Sequence, residues 1–179
     1  MTATDHSTSA EIFDLVNEHG EVIGQAPRRE CHGNPSLIHQ AVHVFIFNHR
    51  NHLFLQKRSL AKDIQPGRWD TSVGGHLQPG ESAEAGALRE TREELGITPR
   101  NVTFAYQFFW RSPLETELIR TFLLRHDGPF SLDPAEIDEG RFWSPDEIHD
   151  ALGTRTFTPQ FEHEYPRLLD WIHHYGVPS

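Results

Sequence analysis

Apolar positions along the chain predict a series of short strands. Residues 11–24 indicate two strands around a turn at His19-Gly20, and residues 40–47 form a continuous apolar run typical of a buried strand. We predict further strands at residues 52–57, 69–73, 102–110, 117–124 and 141–143.

Three segments carry the signals of helices. Ser82 is suited to an N-cap, the helix is predicted to run to about Leu95, and Gly96 is a left-handed stop signal. Two closing helices are predicted at residues 145–151 and 159–175, each with a proline at its start. Strands interleaved with a few helices predict an α/β (α+β) fold in which a sheet packs between helices.

Length and composition predict one folded domain. The chain has 179 residues, of which 36% are hydrophobic, enough for a hydrophobic core over residues 11–179. Residues 1–10 are small and polar, so we expect a mobile tail there. A single cysteine, Cys31, excludes an internal disulfide. The sequence shows neither a signal peptide nor an apolar run of membrane-spanning length, so we expect a cytoplasmic protein without a membrane partner.

The charge balance limits the partners that we expect. Lysine and arginine number 16, aspartate and glutamate number 26, and the net charge is -10. A nucleic-acid partner is disfavoured, because proteins that bind nucleic-acid phosphates are usually basic. An acidic protein can still bind a small phosphorylated molecule through recruited metal cations. The sequence leaves open whether the chain forms a homodimer.

One predicted helix carries an unusual group of acids. At 3.6 residues per turn, Glu90, Glu93 and Glu94 share one flank, beside the apolar flank that would face the core. Like charges at this spacing cost roughly 0.2–0.5 kcal/mol per pair. Mg²⁺ or Mn²⁺ would offset that cost, and Gly86 would leave room for the ion or for a phosphate. A solvated acidic face is the alternative.

A spaced pattern of glycines and charges begins at Gly75. Five residues separate Gly75 from Glu81, and seven more precede the sequence Arg89-Glu90-Thr91-Arg92-Glu93-Glu94-Leu95-Gly96-Ile97. This pattern resembles the Nudix box of the Nudix hydrolase superfamily. Thr91 departs from the aliphatic residue that is usual there, although threonine can fill a core position. The resemblance implies the Nudix fold, a mixed sheet sandwiched between helices with a loop–helix–loop motif. It also implies metal binding by Glu90, Glu93, Glu94 and the Gly75 carbonyl.

The implied chemistry is divalent-metal-dependent hydrolysis of a diphosphate linkage. Cations that bridge diphosphate oxygens neutralise charge and lower the pKa of a bound water. Glu93 or Glu94 can take the proton of that water, and Arg89 can pair with Glu93 and orient it. The expected substrate is a nucleoside diphosphate derivative or another small organic diphosphate.

Three basic residues precede the Nudix box. Lys57, Arg58 and Arg68 are candidates for gripping the substrate phosphates. The alternative is surface charge or, for Arg68, a structural ion pair.

Residues 11–125 contain five further short motifs: His32-x6-His39, Gln56-Lys57-Arg58, Gly67-Arg68-Trp69, Ser72-Val73-Gly74-Gly75-His76 and Glu115-Thr116-Glu117. With these motifs, the segment resembles the isopentenyl-diphosphate isomerase branch of the superfamily. In those isomerases three histidines and two glutamates hold a metal. The matching residues here are His32, His39, His76, Glu115 and Glu117, which would suit a transition metal such as Mn²⁺, Zn²⁺ or Fe²⁺. The alternative is a vestige that binds no metal.

Two positions depart from the isomerase pattern. Gly74 stands where the isomerases have an essential cysteine, and Gln160 stands where they have a tryptophan that steadies a carbocation. Glycine has no proton to give, and glutamine has no π face. The sequence therefore favours a hydrolase-type relative. An isomerase is one alternative, and a metal- and nucleotide-binding sensor without turnover is another.

Two further groups of residues are candidates for the site. Glu136 and Glu139 are predicted to lie in a loop before a strand, from which a catalytic base could come. Residues 108–110 (Phe-Phe-Trp) could stack against a base, although core packing is favoured.

Overall fold

The structure is a computed structural model that describes residues 11–62 and 64–178. The predicted tail, residues 1–10, lies outside the described residues. The strands are β1 (Ile12–Val16), β2 (Val22–Pro27), β3 (Ile38–Phe47), β4 (Leu53–Arg58), β5 (Trp69–Asp70), β6 (Val73–His76), β7 (Thr103–Arg111), β8 (Thr116–Arg125) and β9 (Ile137–Trp143). The helices are α1 (Arg28–Cys31), α2 (Ala83–Leu95), α3 (Pro145–Ala151) and α4 (Pro159–Tyr175).

Strand β3 is the centre of a mixed sheet. It pairs with β8 in parallel and with β1, β4 and β6 antiparallel. Strands β2, β5, β7 and β9 extend the sheet through antiparallel pairs with β1, β4, β8 and β4. The predicted mixed sheet and α+β class are confirmed.

Successive residues of β3 face opposite layers of helices. Phe45 belongs to a buried cluster with Phe161 of α4, whereas Val44 belongs to a cluster with Ala87 and Leu95 of α2. This alternation follows from the two-residue period of a strand. The sheet is therefore covered by α2 on one face and by α4 on the other. Within residues 11–62 and 64–178, no helix is both long enough and apolar enough to cross a membrane.

The signals that bound α2 act as predicted. The Ser82 hydroxyl accepts a hydrogen bond from the Ala85 N–H, and Gly96 ends the helix at φ 67°. Thr91 is completely buried, and its hydroxyl donates to the Ala87 carbonyl, so threonine does fill this core position. The hydrogen bonds set the ends of α2, and the burial of Thr91 fixes the rotation of the helix against the core. This rotation sets the direction in which the acids of α2 point.

The space expected beside Gly86 is already filled. A Cβ at Gly86 would lie 2.3 Å from Leu77 Cδ2 and 3.1 Å from a carboxylate oxygen of Glu81. The prediction of room for an ion or a phosphate is therefore wrong. The missing side chain lets α2 pack closely on the loop before it.

Two strand boundaries also differ from the sequence prediction. Residues 69–73 form two short strands, β5 and β6, because the Ser72 side chain bonds the backbone of neighbouring strands, donating to Phe54 O and accepting from Ile46 N. Strand β9 starts at Ile137, so Glu139 lies in a strand paired with β4 and not in a loop.

Candidate active site

A cavity of about 780 Å³ opens between α2, β6 and the segment that follows β7. Acidic residues line one part of it, including Glu90, Glu93, Glu94 and Glu136. Histidines and glutamates line another part, including His32, His76, Glu115 and Glu117. The structure thus brings both predicted groups of metal-ligating side chains to one cavity.

Two carboxylates of α2 are held in a weakly hydrated setting. Burial raises the pKa of Glu90 to about 7, against the opposing effect of Arg89. Burial also raises the pKa of Glu94 well above its ordinary range, and Glu90 and Glu136 raise it further. Glu93, by contrast, has half of its side chain exposed. A cation would lower the free energy of ionised Glu90 and Glu94, since each is disfavoured by burial and by like charge.

Glu94 is held in a defined position. Its Oε2 accepts a hydrogen bond of 3.0 Å from the Gln56 amide, and the Gly74 N–H lies 3.4 Å from the same oxygen. The side chain is only 6% exposed. Both of these bonds use Oε2, and Glu94 lines the cavity.

Arg89 organises the loop and the acids of α2. Its guanidinium donates to both carboxylate oxygens of Glu81 at 2.8 Å, to Glu90 at 2.7 Å and to the His76 carbonyl at 3.0 Å. The predicted pair with Glu93 is present at 3.1 Å. The Glu81 carboxylate raises the pKa of Arg89 above its already high ordinary value. Arg89 therefore acts as a fixed positive charge that positions Glu90 and Glu93, and it holds its proton.

The close approach of Glu90 to β6 requires a glycine at position 75. A Cβ there would lie 2.1 Å from the Glu90 carboxyl carbon, which real Cβ atoms essentially never show. Any other residue would displace Glu90 from the backbone. The absent side chain thus leaves a cradle in which the Glu90 carboxylate and the Gly75 backbone meet.

The histidines and glutamates form a second candidate metal centre. Ligand atoms of His32, His39 and His76 lie within 4.8 Å of one another, as do those of His39, Glu115 and Glu117. These are the two such groups found among residues 11–62 and 64–178, and they share His39. The three glutamates of α2 are spread more widely, with Arg89 between Glu90 and Glu93.

Several atoms of this second group are buried without hydrogen-bond partners in the described part of the chain. They are Nε2 of His32, both ring nitrogens of His39 and Oε2 of Glu115. Buried polar atoms are rarely left unpaired, because each lost hydrogen bond costs about 1–3 kcal/mol. A bound cation would satisfy them, so the residues fit a metal.

The charge states of this group also suit a metal. Burial lowers the pKa of His32 to about 4, which leaves the neutral imidazole that a metal requires. Burial and the nearby Glu117 raise the pKa of Glu115 to about 7. Burial opposes ionisation of Glu117 too, but the imidazoles of His39 and His76 hold its pKa well below the ordinary range.

The three basic candidates lie in different places. Arg58 lines the cavity, whereas Lys57 and Arg68 are not among its lining residues. The ammonium of Lys57 lies 3.9 Å from Glu139, and Arg68 donates to the Phe157 carbonyl. Only Arg58 is therefore placed to reach a ligand in the cavity.

The candidate loop acid and the candidate aromatic residues differ in whether they line the cavity. Glu136 lines the cavity and forms an ion pair with Lys62. Trp110 also lines the cavity, and it packs against the same hydrophobic cluster as Phe108. Alternation along β7 places Phe109 on the opposite face, against another cluster.

Sequence reasoning missed three polar residues of the site. Gln56 holds Glu94, and His43 borders the cavity with its ring bonded to Glu164 of α4. Gln56 entered the sequence analysis only as part of the motif Gln56-Lys57-Arg58. The roles of these residues depend on contacts between a strand and a helix that are far apart in sequence, which the sequence does not specify.

Comparison with known proteins agrees with this geometry. The model of the NUDIX domain matches residues 37–164, which is more than half of the chain. The chain therefore belongs to the Nudix family.

Its relatives carry two different descriptions. It is 34% identical to an isopentenyl-diphosphate Delta-isomerase of Streptomyces coelicolor over 170 residues, covering 89% of this chain and 86% of that protein. It is also 34% identical to an uncharacterised Nudix hydrolase of Pseudomonas aeruginosa over 140 residues, covering 78% of this chain and 82% of that protein. The crystal structure of DR0079 from Deinococcus radiodurans has a TM-score of 0.75 and 29% identity, covering 88% and 98% of the two chains. Membership of the family is shown, and the reaction is not decided by these names.

Replacing Gly75 with alanine should weaken cation binding by at least tenfold, because the new Cβ would push Glu90 away. Titration with Mn²⁺, followed by electron paramagnetic resonance, measures this effect. Gly24→Ala is the control, since a Cβ there meets nothing within 4 Å. Equal Mn²⁺ affinity in Gly75→Ala and wild type would show that the cradle is not part of a metal site.

The second metal centre predicts a metal content that depends on His32. Protein purified without added metal should carry about one equivalent of a transition metal by elemental analysis, and His32→Ala should lose most of it. His173→Ala changes an exposed histidine of α4 and should keep the wild-type content. An unchanged content in His32→Ala would remove this assignment.

Proposed function

We propose that this chain is a divalent-metal-dependent hydrolase that cleaves a diphosphate linkage. The substrate class is a nucleoside diphosphate derivative or another small organic diphosphate. The observation that carries the proposal is the pair of carboxylates, partly buried Glu90 and buried Glu94, that face the Gly74-Gly75 backbone inside an open cavity. Buried ionised carboxylates are costly unless a cation accompanies them.

The ligands would be oxygen atoms, which suit Mg²⁺ or Mn²⁺. Glu90, Glu93, Glu94 and the Gly75 carbonyl would hold the cations. When bound, such cations neutralise charge on the diphosphate and lower the pKa of water. The -10 charge of the chain makes this neutralisation necessary, because an acidic protein otherwise repels a diphosphate.

Four residues of the chain have proposed roles beside the cations. Glu94 is the proposed base, since Gln56 holds its carboxylate in one position at the cavity, where Oε1 can accept a proton from water. Glu93 is the alternative base, and its exposure gives it freedom to approach water. Arg89 positions Glu90 and Glu93. Arg58 is the best placed of the three basic residues to contact a phosphate.

Attack of water on phosphorus would displace the bridging oxygen of the diphosphate. The products would be a phosphate monoester with either phosphate or a second monoester. In-line attack requires the water and the leaving oxygen on opposite sides of phosphorus. The wide cavity leaves room for an organic group beyond the diphosphate.

Isomerisation of isopentenyl diphosphate is the second candidate function. The His/Glu centre and the relative named as an isomerase favour it. Gly74 and Gln160 weigh against it, because neither supplies a transferable proton or an aromatic face. The Gln160 amide instead donates a 2.8 Å hydrogen bond to Glu117, which occupies one oxygen of a proposed metal ligand. A sensor without turnover is a third candidate, and ligand binding without consumption would support it.

Substitution Glu94→Gln should lower turnover at least a hundredfold while the fold survives, because the amide cannot accept the proton. The measurement is release of phosphate and monophosphates from a panel of diphosphates with Mg²⁺ or Mn²⁺. The panel includes nucleoside di- and triphosphates, ADP-ribose, NADH, CoA, dinucleoside polyphosphates and isopentenyl diphosphate, the last also assayed for isomerisation.

The matched control for this test is Glu84→Gln. Glu84 is exposed in the first turn of the same helix and should be dispensable. Wild-type rates in Glu94→Gln would remove the catalytic assignment. Isomerisation without hydrolysis would replace the proposed function with the second candidate.

A further inference from the structure

A buried pair of ionisable side chains joins the sheet to α4 beside the cavity. His43 of β3 and Glu164 of α4 are 121 residues apart in sequence, and Nδ1 of the imidazole lies 2.5 Å from Oε2 of the carboxylate. Glu164 is completely buried, and His43 is 5% exposed. The proposed hydrolysis assigns no role to this pair.

The Glu164 carboxylate has partners on both of its oxygens. Oε1 accepts hydrogen bonds from the Thr121 hydroxyl at 2.5 Å and from the Tyr106 hydroxyl at 3.2 Å, while Oε2 faces His43. Burial and the Glu164 charge raise the pKa of Tyr106, so the phenol keeps the proton that it donates. These hydrogen bonds hold the Glu164 carboxylate in one position, and they fix Nδ1 of His43 as a hydrogen-bond donor to it.

The other edge of the imidazole faces the cavity. A Cβ built on Gly74 would lie 3.4 Å from Cδ2 and 3.7 Å from Nε2 of His43, and both residues line the cavity. Within the described residues, the side-chain hydrogen bonds of His43 involve Nδ1 alone. Nε2 therefore reaches the space that the missing Gly74 side chain leaves open, next to the backbone N–H that faces Glu94.

A purely structural ion pair would not need this arrangement. Burying two charges is costly, and well-packed apolar residues often serve stability as well or better. Three polar side chains nevertheless converge on this imidazole from β7, β8 and α4: Glu164 bonds the ring, and Tyr106 and Thr121 bond Glu164. Other acids lie around it, since Asp70 and Glu117 add to the effect of Glu164 in favouring the imidazolium, although burial opposes it.

We infer that His43 is a substrate-contacting residue whose Nε2 hydrogen-bonds a phosphate oxygen of the substrate beside Gly74. Glu164, Tyr106 and Thr121 position the ring, and Gly74 keeps its outer edge open. The inference rests on the diphosphate binding of the proposed function. It adds an imidazolium, which donates from Nδ1 to Glu164 and from Nε2 to the substrate, on the β6 side of the substrate and opposite in charge to the carboxylates of α2.

The test is calorimetric binding of methylenediphosphonate, a non-hydrolysable diphosphate, in the presence of Mg²⁺. Three variants are compared with the wild type: His43→Gln, Gly74→Ala and the double variant. Gly74→Ala leaves the His43–Glu164 pair intact and covers Nε2 with a methyl group at ordinary contact distance. His173→Gln, at an exposed position of α4, is the control for histidine replacement.

We expect each single variant to bind the probe at least tenfold more weakly, and the double variant to be no weaker than His43→Gln. Such non-additivity shows that both changes remove the same contact. If His43→Gln fails to fold, Gly74→Ala alone decides the question. Wild-type affinity in Gly74→Ala, or losses that add in the double variant, would overturn the inference.

The same measurements separate this inference from the proposed function. Binding that depends on His43 and Gly74, without hydrolysis of any diphosphate, would refute the hydrolase while keeping the contact. Hydrolysis that is lost in Glu94→Gln but unaffected in Gly74→Ala would keep the hydrolase and refute the contact.

Discussion

The approach of the Glu90 carboxylate to the Gly75 backbone is the contact on which the site depends. It requires a residue without a side chain on β6 and a helix rotated so that its acids face the sheet. Rotation of α2 is fixed by Ala87, Thr91 and Leu95, all completely buried. The same packing that stabilises the fold therefore brings like charges into a weakly hydrated place, where a cation is the natural partner.

Strand β6 joins the parts of the site through three successive residues. Gly74 faces His43 and bonds Glu94, Gly75 meets Glu90, and His76 belongs to the His/Glu centre. Because β6 pairs with β3, its register places Gly74 opposite His43 and His76 opposite Ala41, and the His76 ring lies 5.2 Å from that of His39. Both candidate metal centres share one cavity because β6 contributes a residue to each of them. A small shift of β6 would therefore disturb both.

The sequence predicted α2 and its acids well, because the signals are local. Ser82 and Gly96 mark the ends of the helix, and the positions of Glu90 and Glu94 follow from its period. The same local reasoning failed for Gly86, since the occupant of its space, Leu77, lies outside the helix. The boundary of β9 was also missed, because pairing with β4 and not its own composition extends that strand.

The other features that the sequence did not predict depend on contacts between residues that are far apart in the chain. Lys57, Arg58 and Arg68 look alike in sequence, and only tertiary structure places Arg58 at the cavity. His43 and Glu164 meet across the sheet, and neither residue type is unusual on its own. The resemblance to the isomerases located the His/Glu centre, but the bond from Gln160 to Glu117 came from the structure.

Binding of a divalent cation by the carboxylates of α2, against the Gly75 backbone, can be seen by anomalous diffraction at the manganese edge from crystals grown with Mn²⁺ and methylenediphosphonate. We expect a peak in contact with the carboxylates of Glu90 and Glu94 and beside the Gly75 carbonyl. Manganese only at the His/Glu centre, with none at α2, would show that these carboxylates do not form the proposed cation site.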